Sequence, residues 1–268
     1  MAMRRTTLLS TVAAIGLSAC ASLPSGDIAQ REPGFVQREV VVDGQTHRYQ
    51  VFVPSPTAGA TPPVILFLHG SGERGDDGVK PTLAGLGPYV RANAGSFPAI
   101  VVFPQVPENG EWQGANAGVA FAALDAATAE FNGDRDRTYL TGMSMGGYGT
   151  WELALAQPER FAALVPVCGA VRQISDERAL YVTQVTGDPD PYATIAQTLR
   201  DVPVWIFHGA KDDVVPPDDD RRLIAAFRHA DARDARYTEF PDANHNAWDP
   251  AYARTPELWR WLFAQQRR

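Results

Sequence analysis

The 268-residue chain sets 24 Lys and Arg against 31 Asp and Glu, a formal charge of −7, with 45% apolar and 21% charged residues. That is an ordinary globular composition, long enough for one large domain or two small ones. The acidic balance argues against nucleic acid as a partner, since phosphate binding needs a basic face, and no His/Cys cluster has zinc spacing, so no metal is expected.

The chain opens with "MAMRRTTLLSTVAAIGLSACASLPSG". Arg4 and Arg5 precede a mostly apolar stretch from Leu8 to Leu17 that is too short to span a bilayer comfortably. Residues 1–19 therefore read as a secretory signal. "LSAC", residues 17–20, resembles a bacterial lipobox, the alternative being a plain signal peptide. The resemblance implies that Cys20 is lipidated and becomes the first residue of an exported protein. Ala at position 21, where an Asp could stand, resembles an outer-membrane lipoprotein of a bacterium with two membranes. Several acyl chains would anchor it firmly, where one binds only marginally. The only other cysteine, Cys168, is then without a disulfide partner and reads as a small buried residue. Residues 20–36, rich in Pro, Gly, Ser and polar side chains, read as a tether to a domain over 37–268.

From there strands and helices alternate. "REVVV" (38–42) and "HRYQVFV" (47–53) flank an Asp43-Gly44 hairpin signal. "PVILFLHG" (63–70) and "AIVVFPQ" (99–105) are continuous apolar runs, the mark of strands buried on both faces of a largely parallel sheet. "ANAGVAFAALDAATAEF" (115–131) has a helical pattern. Then follow "RTYLTG" as strand, "GYGTWELALAQ" as helix, "FAALVPVCG" and "VPVWIFHG" as strands, "DDDRRLIAAFRHA" as helix, "ARYTEF" as strand and "TPELWRWLFAQQ" as helix. The triple Asp218–Asp220 suits a helix start, where acids complement the dipole. This alternation predicts one doubly wound α/β domain. Residues 171–200 break the rhythm and read as a lid or a wall of a site.

"LTGMSMGGYGTW" (140–151) places Ser144 between a strand and a helix, with Gly142 and Gly146 two positions to either side. A nucleophile on so tight a turn needs glycine at those positions, because side chains there would strike neighbouring backbone, while Gly147 lets the helix pack closely. A serine nucleophile needs a base, and the base an acid to orient it. The loops after the strands "VPVWIFHG" and "ARYTEF" offer Asp212 and His245. Both lie at the carboxyl edge of the sheet, where open α/β folds bind ligands.

Four blocks, "LHGSGERGDD", "YLTGMSMGGYGTWELA", "FHGAKDDVVP" and "HNAWDPAY", resemble in order the α/β-hydrolase superfamily. They are most similar to secreted carboxylesterases and predicted peptidases of its prolyl-oligopeptidase-like group, and the resemblance spans roughly residues 37–264. It implies an α/β-hydrolase fold, a mostly parallel central sheet with helices on both faces. The implied triad is Ser144, Asp212 and His245, with Asp213 as runner-up for the acid. The oxyanion would be held by the backbone N–H groups of Ser71 and Met145. The implied activity is hydrolysis of carboxylic esters, small or polymeric, without a cofactor. A peptidase of the same fold and a surface-anchored binding protein without turnover are the alternatives. Feruloyl, acetyl, simple short-chain and polyester substrates all stay open.

The remaining candidates have bland readings beside functional ones. His69 and His208 read as shaping turns at strand ends, His47 and His229 as surface residues. Glu73, with Arg74, Asp76 and Asp77, forms either a stiffening ion-pair network or a substrate contact. Trp112 reads equally as pocket wall or packing. Trp248 reads as packing behind the catalytic loop, and Trp151 and Trp259 as core.

Overall fold

A computed structural model describes residues 33–57, 59–175 and 178–267. The signal, Cys20 and most of the expected tether lie outside the described residues. Eight strands form one sheet: β1 (Gly34–Val42), β2 (Gln45–Val53), β3 (Pro63–Leu68), β4 (Ile100–Phe103), β5 (Asp134–Met143), β6 (Ala163–Val167), β7 (Val204–Gly209) and β8 (Ala235–Phe240). Their order is β1-β2-β4-β3-β5-β6-β7-β8. β1 and β2 pair antiparallel, as do β2 and β4, and every other pairing is parallel. β1 begins at Gly34, so the first strand takes in the last residues of the stretch read as tether.

The helices are α1 (Leu86–Ala92), α2 (Gly114–Glu130), α3 (Met145–Ala156), α4 (Pro191–Thr198), α5 (Asp218–His229), α6 (Trp248–Arg254) and α7 (Pro256–Phe263). They cover both faces of the sheet, and the apolar runs show why. Along β3, Val64, Leu66 and Leu68 enter one core with α2, α3 and α5, while Ile65 and Phe67 enter the other with α1, α6 and α7. A strand so enclosed has no polar face to show, and each buried aliphatic or aromatic side chain contributes about 1.5–3 kcal/mol. Among the described residues between 171 and 200, only α4 and a short 3-10 turn, Thr183–Val185, are regular.

The chain passes from β3 to β4 on one side of the sheet and then returns to β5 on the other side of β3. That reversal puts the topological switch point at the carboxyl ends of β3 and β5, the place where open α/β sheets bind ligands. Ser71 follows β3 there, and Ser144 follows β5.

Candidate active site

Ser144 sits at φ +54° and ψ −116°, the left-handed half of the backbone map that a side chain rarely enters. The strain is imposed by packing on every side. A Cβ added at Gly142 would lie 2.2 Å from the carbonyl oxygen of Gly146; one at Gly146 would lie 1.9 Å from that of Leu68, and one at Gly147 would lie 2.7 Å from the Cα of Gly169. The Ser144 N–H donates to Val167 O at the end of β6 (2.9 Å). The half-buried hydroxyl is thereby held at the edge of the sheet.

His245 Nε2 lies 2.9 Å from Ser144 Oγ, and its Nδ1 lies 2.7 Å from Asp212 Oδ2. A carboxylate oxygen at Nδ1 keeps the proton there, which leaves Nε2 free to accept from the serine hydroxyl. The loops carrying acid and base are stitched together. Ala210 N–H donates to Phe240 O and Lys211 N–H to Ala243 O (both 2.9 Å). A Cβ on Gly209 would lie 2.1 Å from Asn244 O, so only glycine lets the loops approach so closely. Asp212 is buried, and its Oδ1 accepts the N–H groups of Val214 (3.0 Å) and Val215 (2.9 Å). Burial opposes its ionisation, but hydrogen bonds from His208 and His245 outweigh that and hold it well below the usual carboxylate range. Asp213 is exposed.

Met145 is the first residue of α3 and Ser71 the first of a 3-10 turn, Ser71–Glu73. N–H groups at a helix start have no acceptor within their own helix, so both remain available to an oxyanion.

Of the other residues, His69, Trp248 and Cys168 keep their sequence readings, and Trp112 and Arg74 do not. Trp112 is a packing residue: it is 2% exposed, donates its indole N–H to His69 O (3.0 Å) and lies against Gly149, under the β3 loop. Glu73 is half-buried, with burial raising its carboxyl pKa, and it borders Gly70. Its neighbour Arg74 pairs outside the expected quartet, with Glu111 (2.6 Å), and Asp77 accepts the N–H groups of Val79 and Lys80. His69 ties the loop down: Nδ1–H donates to Gly70 O (2.6 Å), Nε2 accepts from Val106 N–H (3.0 Å), and burial lowers its pKa to about 4. Trp248 meets the His245 ring edge to face, with centroids 5.6 Å apart. Cys168 is buried at φ +42°, and burial pushes its thiol pKa far up.

Sequence reasoning missed the residues that fix the 171–200 segment. Arg178 donates to Ser71 Oγ (2.6 Å) and, through Nε and Nη2, to both oxygens of Glu111 (2.8 and 2.9 Å). Asp219 accepts the N–H groups of Val171 and Arg172 (2.9 and 2.8 Å), and Glu152 that of Thr183 (2.6 Å). These bonds pin the described parts of the segment to the β3 loop, α3 and α5. Of the Asp triplet, Asp218 is exposed, half-buried Asp219 holds this segment and Asp220 is buried against His208. The His-x-x-x-Asp spacing of 208 and 212 was the available signal for that second buried cluster.

The prolyl oligopeptidase family model matches residues 109–266. Among solved structures, a thermostable esterase is 28% identical with a TM-score of 0.71, over 87% of this chain and 63% of the esterase. A ferulic acid esterase matches at 16% identity and a TM-score of 0.64, over 87% of this chain and 98% of the other. The acylaminoacyl peptidase of Pyrococcus horikoshii matches at 16% identity and a TM-score of 0.64, over 89% of this chain and 42% of the peptidase. No curated protein sequence matches. The chain thus spans less than two thirds of the thermostable esterase and under half of the peptidase.

Proposed function

Because the chain belongs to the prolyl oligopeptidase family and has the α/β-hydrolase fold, we propose that it is a serine hydrolase cleaving carboxylic esters through an acyl-enzyme. The observation that carries this reading is the continuous hydrogen-bonded line Ser144–His245–Asp212, with spacings of 2.9 and 2.7 Å. Ser144 Oγ attacks the ester carbonyl while its proton passes to His245 Nε2. Asp212 holds the imidazole in the required tautomer and stabilises the imidazolium that forms. The N–H groups of Met145 and Ser71 take the oxyanion. Collapse of the tetrahedral intermediate expels the alcohol, which leaves with the proton from His245. A water molecule, activated by the same base, then releases the acid and restores Ser144.

The esterase likeness at 28% identity favours ester over amide cleavage, while the family's peptidase members favour the second reading, a peptidase with the same triad. One experiment separates them. The purified protein is exposed to a fluorophosphonate probe, then assayed against a panel of p-nitrophenyl esters beside p-nitroanilide peptides. Labelling with ester turnover is expected. Turnover of anilides alone would establish the peptidase, and absence of labelling would leave a binding protein. The proposal includes export and a lipid anchor at Cys20, supported by "LSAC" behind a basic, apolar leader.

A further inference from the structure

Behind the acid lies a second buried carboxylate–imidazole contact. His208, the penultimate residue of β7, and Asp220, in the first turn of α5, are both fully buried. His208 Nε2 lies 2.8 Å from Val215 O and 3.2 Å from Asp212 Oδ2, and its Nδ1 lies 2.7 Å from Asp220 Oδ2. A carbonyl oxygen only accepts, so Nε2 carries a proton; Nδ1 faces a carboxylate, so a second proton lies on that line. With that proton on Nδ1 the ring is an imidazolium whose countercharge is Asp220, and the ion pair works against the burial that raises the Asp220 carboxyl pKa. Burial alone would lower its pKa, but the bonds to Asp212 and Asp220 push it up to about 10.

Asp212 Oδ2 thus faces two imidazole nitrogens: it accepts the His245 N–H at 2.7 Å and lies 3.2 Å from His208 Nε2, whose proton goes to Val215 O. We propose that the Asp220–His208 pair positions the acid: it fixes Oδ2 of Asp212 on His245 and, by sharing that oxygen's charge, limits how strongly Asp212 favours a protonated His245. This rests on the triad reading above and adds two positioning residues to it. The other ionisable groups around the pair do not supply this charge. Asp219, beside Asp220 on α5, is held by Tyr192 and the 171–172 backbone. Glu239 on β8 is engaged by Arg221 and by the Tyr237 hydroxyl. Tyr148 on α3, Tyr237 and Cys168 are kept neutral by burial. Asp220 Oδ1 has no hydrogen-bond partner among the described residues, so His208 is the support of that carboxylate.

The test replaces Asp220 by Asn. The amide can donate to Nδ1, which leaves His208 neutral and removes the positive end of the pair beside Asp212. His245 titration is followed by NMR of labelled imidazoles in parent and D220N, and the acid limb of fluorophosphonate labelling is followed in the same samples. Both are expected to move to higher pH by at least about half a unit. A purely structural role would lower stability and leave both midpoints in place, and that result overturns the proposal. If D220N does not fold, the parent decides. There His208 should stay doubly protonated from about pH 5 to 8.5, well above the ordinary histidine range, and a neutral ring across that range refutes the pair. A parent that titrates as expected but takes no label would refute the hydrolase reading and leave the pair standing.

Discussion

Ser144 holds its conformation because neighbouring backbone leaves no other, so its hydroxyl can be removed without disturbing the turn. Ser144→Ala should fold as the parent does, lose fluorophosphonate labelling and lose several orders of magnitude of turnover; undiminished labelling would identify a different nucleophile. Asp212 and Asp213 divide sharply. Asp212 is buried on His245 and Asp213 is exposed. Loss of an orienting carboxylate costs up to about 10⁴ in turnover in a comparable triad, so Asp212→Asn should lower kcat at least about a hundredfold with KM little changed. Asp213→Asn should stay within a few-fold of the parent, since exposed substitutions typically move stability by less than about 0.5 kcal/mol. Steady-state hydrolysis of a p-nitrophenyl ester, with circular dichroism on both variants, reads the difference. His208 adds a pH signature to stability. Its folded pKa is raised from 6.5 to about 10, so the folded state holds that proton more tightly than the unfolded chain. The contribution is full below about pH 6.5 and is lost as pH rises through about 10. The parent's Tm should therefore fall across that window more steeply than that of Asp220→Asn, and equal slopes would refute it.

Helix α3 depends on the glycine contacts at its start, whereas α2 carries a glycine with none. An added Cβ at Gly118 meets nothing within 4 Å, while one at Gly146 lies 1.9 Å from Leu68 O. Gly118→Ala should stabilise the protein by about 0.5–1 kcal/mol through helix propensity. Gly146→Ala should abolish the native fold or the Ser144 geometry, and thermal melts with labelling distinguish these outcomes. Much of this level was legible in the sequence. The continuous apolar runs marked β3, β4, β6 and β7, and the glycine spacing marked the turn at Ser144. Helix α1 escaped because "LGPYVRA" is short and interrupted by Pro88, and α6 because its first turn overlaps the loop that carries His245. Pairings between distant side chains also left no local trace. Arg178 reaches Ser71 across 107 positions, and nothing near either residue signals the other. The Asp218–Asp220 run looked like dipole compensation because sequence shows charge without burial, and burial gives its three members different tasks.

For the molecule as a whole, residues 109–266 contain Ser144, Asp212 and His245, while the sheet's other half brings in Ser71 through β3. The anchor is tested on the intact protein: Cys20→Ser should appear soluble or unprocessed where the parent sediments with membranes, and unchanged fractionation with normal processing would refute lipidation. Ser144 and His245 stand 101 positions apart, and Asp212 and His245 stand 33 apart. Their meeting requires β5, β6, β7 and β8 to be already side by side, and such non-local pairing is slow to form. During refolding from denaturant, helix signal should return before reactivity does, because a chain with its helices formed and its sheet unfinished has no nucleophile. Stoichiometric labelling of Ser144 would thus count finished molecules, and its time course would follow the last step of sheet assembly.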